Sequence, residues 1–298
     1  MPLREPKFKY DQTTLKVSGC GDHRRIDVTY LRCLRTKGVE VEEDSPIFQT
    51  ESRENTEKLS QSVSRSRRII QELAFCNPWE YFVTLTIDPE RFNRSELENF
   101  MKTLCKYISN QNRLHNLQIK YLLIPELHKD GQSWHLHGFI NGLPDRFLHR
   151  FAIGDTMGAQ IAEKVKRGET VYNWPAYADK FGYCSLEPVK NPEAVSNYVT
   201  KYITKDLLNS VSQLNAHMYY HSRDLKKATL VKSGICYAQL VYTFENDYCK
   251  KVSFPYSDEL LQELKVSFIN PLQIFAVAVA PQRYNSQNNM ILSGGDSH

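Results

Sequence analysis

Apolar residues recur along this chain with two periods, and the periods divide it into elements. Residues 51–75 begin almost wholly polar. The second half of that stretch, Ser64-Arg-Ser-Arg-Arg-Ile-Ile-Gln-Glu-Leu-Ala-Phe75, then gains apolar positions at helical spacing. This predicts a helix with Ile69, Leu73 and Phe75 leading into a core, stopped by Asn77-Pro78. From Tyr81 to Asp88 the period changes to two. Val83, Leu85 and Ile87 share one face, and Phe82, Thr84, Thr86 and Asp88 share the other, on a stretch rich in strand-forming residues. A second helical stripe follows in Leu97, Phe100, Leu104 and Ile108, extended by Leu114, with Ser95 and Glu98 spaced as a capping box. Two extended stretches come next, Tyr121 to His128 and Trp134 to Ile140. The Asp130-Gly131 between them is a hairpin-turn signal.

The pattern weakens from Pro144 to Lys180, where Gly154, Gly158 and Gly168 suggest loops around one short helix near Ala159 to Arg167. Gly182 to Val189 reads as a strand. Asn191-Pro192-Glu193 then opens a helix that runs to about Leu208, with a cap, a proline in its first turn and an acid behind it. Ile235 to Phe244 predicts a late strand and Asp258 to Val266 a late helix. Residues 1–50 are polar and irregular, with strand-like pieces such as Arg25 to Tyr30. The Asn-, Ser- and Gly-rich stretch from Gln282 is expected to be disordered. This order predicts an α+β fold, a central antiparallel sheet with flanking helices. It divides the chain into an N-terminal accessory region (1–60), a core (61–210), a C-terminal strand-and-helix extension partly packed on the core (211–281) and a tail (282–298).

A net charge of +4 does not announce a nucleic-acid-binding protein, so any basic surface must be local. Two stretches qualify: Lys190 to Lys232, and the cluster Arg65, Arg67 and Arg68. The cluster suits phosphate, and it equally suits a solvated helix face. The seven cysteines are odd in number and include no C-x-x-C pair, which fits reduced thiols in a cytosol rather than a disulfide framework. Cys20, His23 and Cys33 lack a fourth ligand for a structural zinc site. There is no apolar signal core at the start and no run of about 18 apolar residues. The expectation is a cytoplasmic protein without membrane association.

Two constellations bear chemistry. On a strand, His135 and His137 project to one face while Leu136 packs on the other, and Glu126 and His128 stand two apart on the preceding strand. A hairpin gathers the two histidines with either Glu126 or His128 around one divalent ion. The second constellation lies on the predicted helix after Asn191. Measured around the helix axis from Tyr198, Tyr202 falls at about +40°, Lys205 at about −20° and Lys201 at about −60°. Two phenols and two ammonium groups share one face there. A phenol can attack a phosphodiester, and cations can stabilise the charge that develops. Each pattern alone also fits ordinary packing, and their coexistence is what points to phosphoryl chemistry.

Together these residues resemble the three motifs of the HUH endonuclease superfamily, in its rolling-circle replication initiator branch. Phe82-Val-Thr-Leu-Thr-Ile87 resembles the first motif, His135-Leu-His137 followed by Gly138 the second, and Tyr198-Val-Thr-Lys-Tyr-Ile-Thr-Lys205 the third. The two-tyrosine spacing is similar to that of initiators of single-stranded DNA phages, and plasmid initiators belong to the same branch. The likeness covers roughly residues 64–208.

The resemblance implies a ferredoxin-like or RRM-like sheet and a Mg or Mn ion on His135, His137 and either Glu126 or His128. It implies Tyr198 and Tyr202 as nucleophiles assisted by Lys201 and Lys205, and DNA contacts from Arg65, Arg67, Arg68, Thr84 and Thr86. The substrate it implies is single-stranded DNA at a replication origin in a bacterial host cell, nicked and joined through a 5′-phosphotyrosyl link. No phosphate-binding G-x-x-x-x-G-K-[ST] loop occurs in the sequence, so a host helicase is expected beside a host polymerase. Related alternatives are a relaxase or transposase of the same superfamily, and a non-catalytic RRM-like nucleic-acid-binding module.

Overall fold

A computed structural model describes residues 9–33, 50–128, 130, 132–191, 195, 217–246 and 248–269. Hairpin β1 (Lys9–Ser18) and β2 (Arg25–Cys33) comes first. It is followed by α1 (Thr50–Phe75), β3 (Tyr81–Thr86), α2 (Leu97–His115), β4 (Lys120–Leu127) and β5 (Trp134–Asn141). Then come β6 (His149–Arg150), α3 (Ala159–Lys166), β7 (Tyr172–Asn173), α4 (Pro175–Phe181) and β8 (Cys184–Pro188). The last elements are β9 (Tyr220–His221), β10 (Thr229–Cys236), β11 (Phe244–Glu245), β12 (Cys249–Pro255), α5 (Asp258–Val266) and β13 (Phe268–Ile269). The fold is α+β, built on antiparallel sheets.

The larger sheet has the order β6-β7-β8-β3-β5-β4-β9. Its inner strands β8-β3-β5-β4 follow the split βαβ order of ferredoxin-like folds. The alternation in β3 explains the layering. Val83 and Leu85, with Ile87 beyond the strand, turn to one side and meet Phe100, Leu104 and Ile108 of α2 and Tyr177 and Phe181 of α4. Each such side chain contributes about 1.5–3 kcal/mol when fully buried. Gly182, between α4 and β8, has φ +130°, and a Cβ there would meet the Asp88 amide and the Thr86 carbonyl, so glycine lets the backbones approach.

The opposite face of the sheet packs Leu122, Ile124 and Phe139 against Val63, Ile70 and Leu73 of α1, with Val195 in the same cluster. Asn77 ends α1 as the sequence predicts. Its amide nitrogen donates to the Leu73 carbonyl (2.8 Å) and the Lys226 carbonyl (2.9 Å), and its oxygen accepts from the Lys226 amide. Among the described residues no helix is long and apolar enough to cross a membrane.

A second sheet, β11-β12-β2-β1-β10-β13, joins residues from both ends of the described chain. Leu15, Ile26, Val28 and Val252 pack there against Leu261 and Leu264 of α5. The reading of residues 1–50 as irregular missed β1.

Three smaller expectations are corrected. The Ser95 and Glu98 capping box does not form, because α2 starts at Leu97 and the Ser95 amide and hydroxyl both donate to the Asn93 side-chain oxygen. Leu114 is 65% exposed and not part of the stripe. The late strand runs Thr229–Cys236 instead of Ile235 to Phe244, because β1 pairs with it up to Gly234 and β13 covers only Ile235 and Cys236. The expected disorder after Gln282 lies outside the described residues.

Candidate metal centre

Strand register builds the site. In β4 and β5, Glu126 pairs with His135 and Ile124 with His137, while on the other side of β5, Thr86 pairs with His135 and Thr84 with His137. Side chains alternate across a strand, so both histidines turn to the α1 face of the sheet with Phe139 and Glu126, whereas Leu136 and Ile140 enter the α2 core. Gly138 keeps the hairpin tight. A Cβ at this position would collide with the Leu122 carbonyl oxygen. The turn is set by Asp130, whose carboxylate accepts from the Gln132 amide (2.9 Å) and the Ser133 amide (2.8 Å). Bonds to Ser133 and Gln132 hold the Asp130 carboxyl low, at about 2.

Glu126, His135 and His137 converge. One carboxylate oxygen, Oε2, lies 3.1 Å from His135 Nε2 and 2.8 Å from His137 Nε2. The two imidazole rings sit 4.6 Å apart between centroids. Hydrogen bonds from His135 and then His137 hold the Glu126 carboxyl well below the usual carboxylate range, although partial burial pushes the other way.

The donor set fits a divalent cation. Metal–ligand bonds of about 2.0–2.2 Å put neighbouring ligand atoms about 3 Å apart, close to the spacings seen here. Among the described residues, Glu126, His135 and His137 are the group whose ligand atoms all lie within 4.8 Å of one another. Two imidazoles and a carboxylate suit borderline ions such as Mn.

Around these donors, Thr84 Oγ1 lies 3.1 Å from His137 Nδ1 and orients the ring. His135 Nδ1 is buried without a hydrogen-bond partner among the described residues. His128 is exposed. Its ring lies 4.7 Å from that of His135, beside the group and outside it. Among the described residues, Cys20 and His23 join no such group.

The other candidates are distributed as follows. Thr86 donates from Oγ1 to the Tyr183 carbonyl (2.6 Å), so its hydroxyl is engaged within the sheet. Arg65 and Arg68 are exposed on α1 and Arg67 is half-buried. Tyr198, Lys201, Tyr202 and Lys205 lie outside the described residues. The role missed from sequence is that of Thr84 as a partner of His137; buried Ser185 stands opposite Thr84 in the register of β8. The signal was present in the alternation of β3, but only the register shows which hydroxyl meets which imidazole.

Residues 80–207 match the family model of the replication-associated protein ORF2/G2P. The matched stretch contains β3, the β4–β5 hairpin and the whole Glu126, His135 and His137 group. The match supports a replication-initiator role. Neither the curated proteins nor the solved structures yield a match.

Proposed function

We propose that this protein initiates rolling-circle DNA replication by nicking single-stranded DNA at an origin and rejoining it through a 5′-phosphotyrosyl link. The observation that carries this reading is the convergence of Glu126, His135 and His137 on one sheet face inside the matched stretch. Glu126, His135 and His137 would hold the divalent ion, Mg or Mn. When bound, that ion supplies positive charge to the scissile phosphate. Thr84 fixes the His137 ring so that Nε2 faces the carboxylate side.

Tyr198 or Tyr202 attacks phosphorus through its phenol oxygen. The new bond is tyrosine O–P and the bond that breaks is P–O3′. The phenol proton is lost to solvent, and the departing oxygen takes one up to become a free 3′-OH for a polymerase. Lys201 and Lys205 stabilise the charge on the phosphoryl oxygens. The second tyrosine then accepts the strand at the new junction. What supports the tyrosine assignment is Val195, three residues before Tyr198 in the sequence, which is helical and buried in the cluster with Ile124 and Phe139, the residues that flank His137. Exposed Arg65 and Arg68, with Arg67 between them, suit contacts to the DNA backbone.

The test is a denaturing gel for covalent adduct on a single-stranded origin oligonucleotide with Mn. Tyr198→Phe and Tyr202→Phe should each lose cleavage or joining, and the double mutant both. His135→Ala or His137→Ala should lower cleavage at least about 100-fold, on the scale of losing one charge-stabilising group, with circular dichroism unchanged. An adduct formed by the double tyrosine mutant would sink this reading.

A further inference from the structure

On the α1 face of the larger sheet, near the start of β3, lies a surface cavity of about 340 Å³. That is at the small end of the range for small-molecule sites, about 300–1,000 Å³. Trp79 and Val195 line it, and both belong to the cluster that contains Ile124 and Phe139 beside His137. Phe75 closes one side from the end of α1, and Cys20 and His23 reach in from the β1–β2 turn. Trp79 precedes β3 by two residues and Thr84 by five, so the cavity lies at the opposite end of that strand from the metal centre.

The lining has two characters. Its inner surface is aromatic and apolar, and the polar groups there are already committed. The Trp79 indole nitrogen donates to the Ala74 carbonyl (3.0 Å), and the Asn77 amide makes the three bonds that end α1. Its rim is cationic. Lys190 lines it, and Lys226 lies near enough to act electrostatically on Cys20. A flat ring carrying an anionic group matches both characters. A paired base would first have to leave its stack, at about a few kcal/mol, so an unpaired one enters more readily.

We propose that this cavity binds one unstacked nucleotide of single-stranded DNA, with its base against half-buried Phe75 and the exposed edge of Trp79 and its phosphate on Lys190. Because the inner amide and indole groups are spent internally, the pocket accepts bases by stacking, with little sequence preference. The inference rests on the proposed reaction on single-stranded DNA and adds a second anchoring point on the same face.

The experiment uses the full chain in EDTA, with a thymidine oligomer of about twelve nucleotides as the probe. Alkylation of Cys20 by N-ethylmaleimide is mapped by mass spectrometry near pH 9, since burial raises this thiol's pKa. Cys105, which lines a different cavity, serves as the internal standard. The single-stranded oligomer should slow Cys20 alkylation at least fivefold and leave Cys105 unchanged, and the same oligomer in duplex should protect neither. Cys20→Trp, which fills the cavity, should weaken oligomer binding about tenfold, within the range for one stacked base. Lys190→Ala should weaken binding and reduce its salt slope by about one.

Unchanged Cys20 alkylation at saturating oligomer, or wild-type affinity in Cys20→Trp, overturns the proposal. His135→Ala keeps the protection while losing cleavage. If the wild-type protein fails to cleave with Mn yet Cys20 is protected, the nuclease reading falls and the pocket stands. If cleavage occurs and Cys20 is not protected, the pocket falls and the nuclease stands.

Discussion

At the scale of single residues, one hydroxyl sets the orientation of an imidazole in the candidate metal centre. Thr84 Oγ1 at 3.1 Å from His137 Nδ1 leaves Nε2 facing Glu126. Thr84→Val should lower Mn affinity about tenfold, at the modest end for loss of such a partner, and Thr84→Ser should restore it; calorimetric titration decides. The choice between Glu126 and His128 is a second test. Glu126 touches both imidazoles through one oxygen, whereas His128 is exposed with its ring beside that of His135. Glu126→Gln should therefore abolish tight Mn binding and His128→Ala should leave it within about twofold, the spread expected of one surface group. Equal affinities in the two variants would remove Glu126 from the ligand set. The sequence narrowed the site to these four residues because i and i+2 spacing on a strand is visible in it. It left the third ligand open because cross-strand register is not.

At the scale of elements, the β4–β5 hairpin depends on a residue without a side chain. Gly138→Ala should destabilise the protein by at least about 2 kcal/mol, as overpacking against a backbone does. Gly158→Ala, where an added Cβ meets nothing within 4 Å, should be near neutral; urea denaturation of both variants gives the comparison. The elements read correctly from sequence are those with strong periodicity or punctuation. The alternation of β3, the Asp-Gly turn, the stop at Asn77-Pro78 and the late helix from Asp258 to Val266 are examples, while the Ser257 hydroxyl that caps the last by accepting from the Leu260 amide was not read. The failures have local causes. Ser95 bonds to the preceding Asn93 instead of capping α2, and β1 offers only Leu15 and Val17 on its inner face, with Thr13 buried beside them. Two apolar positions in ten residues are too few to signal a strand.

At the scale of the whole molecule, the larger sheet and the smaller one differ in how the chain supplies them. Among the described residues, the two cores of the larger sheet draw on positions between Val63 and Leu225, whereas the smaller sheet needs β1 and β2 beside β10 and β12. A fragment spanning 50–228 should unfold cooperatively and bind Mn. A fragment spanning 34–298 should expose the unpaired edges of β10 and β12 and bind a hydrophobic dye such as ANS. A 50–228 fragment lacking a cooperative transition would show that the larger sheet leans on the smaller. That pairing of distant segments was invisible in the sequence, since no local pattern in 9–33 points to 229–255. It also imposes an order on the nascent chain. The β1–β2 hairpin leaves the ribosome first and must remain with open edges until β10 and β12 emerge, by which time every residue of the His135 and His137 hairpin has already been made. The half that carries the Glu126, His135 and His137 group is therefore ready to assemble before the ends of the protein can find each other, and a synthesis that stalls between the two events releases an assembled larger sheet attached to an unfinished neighbour.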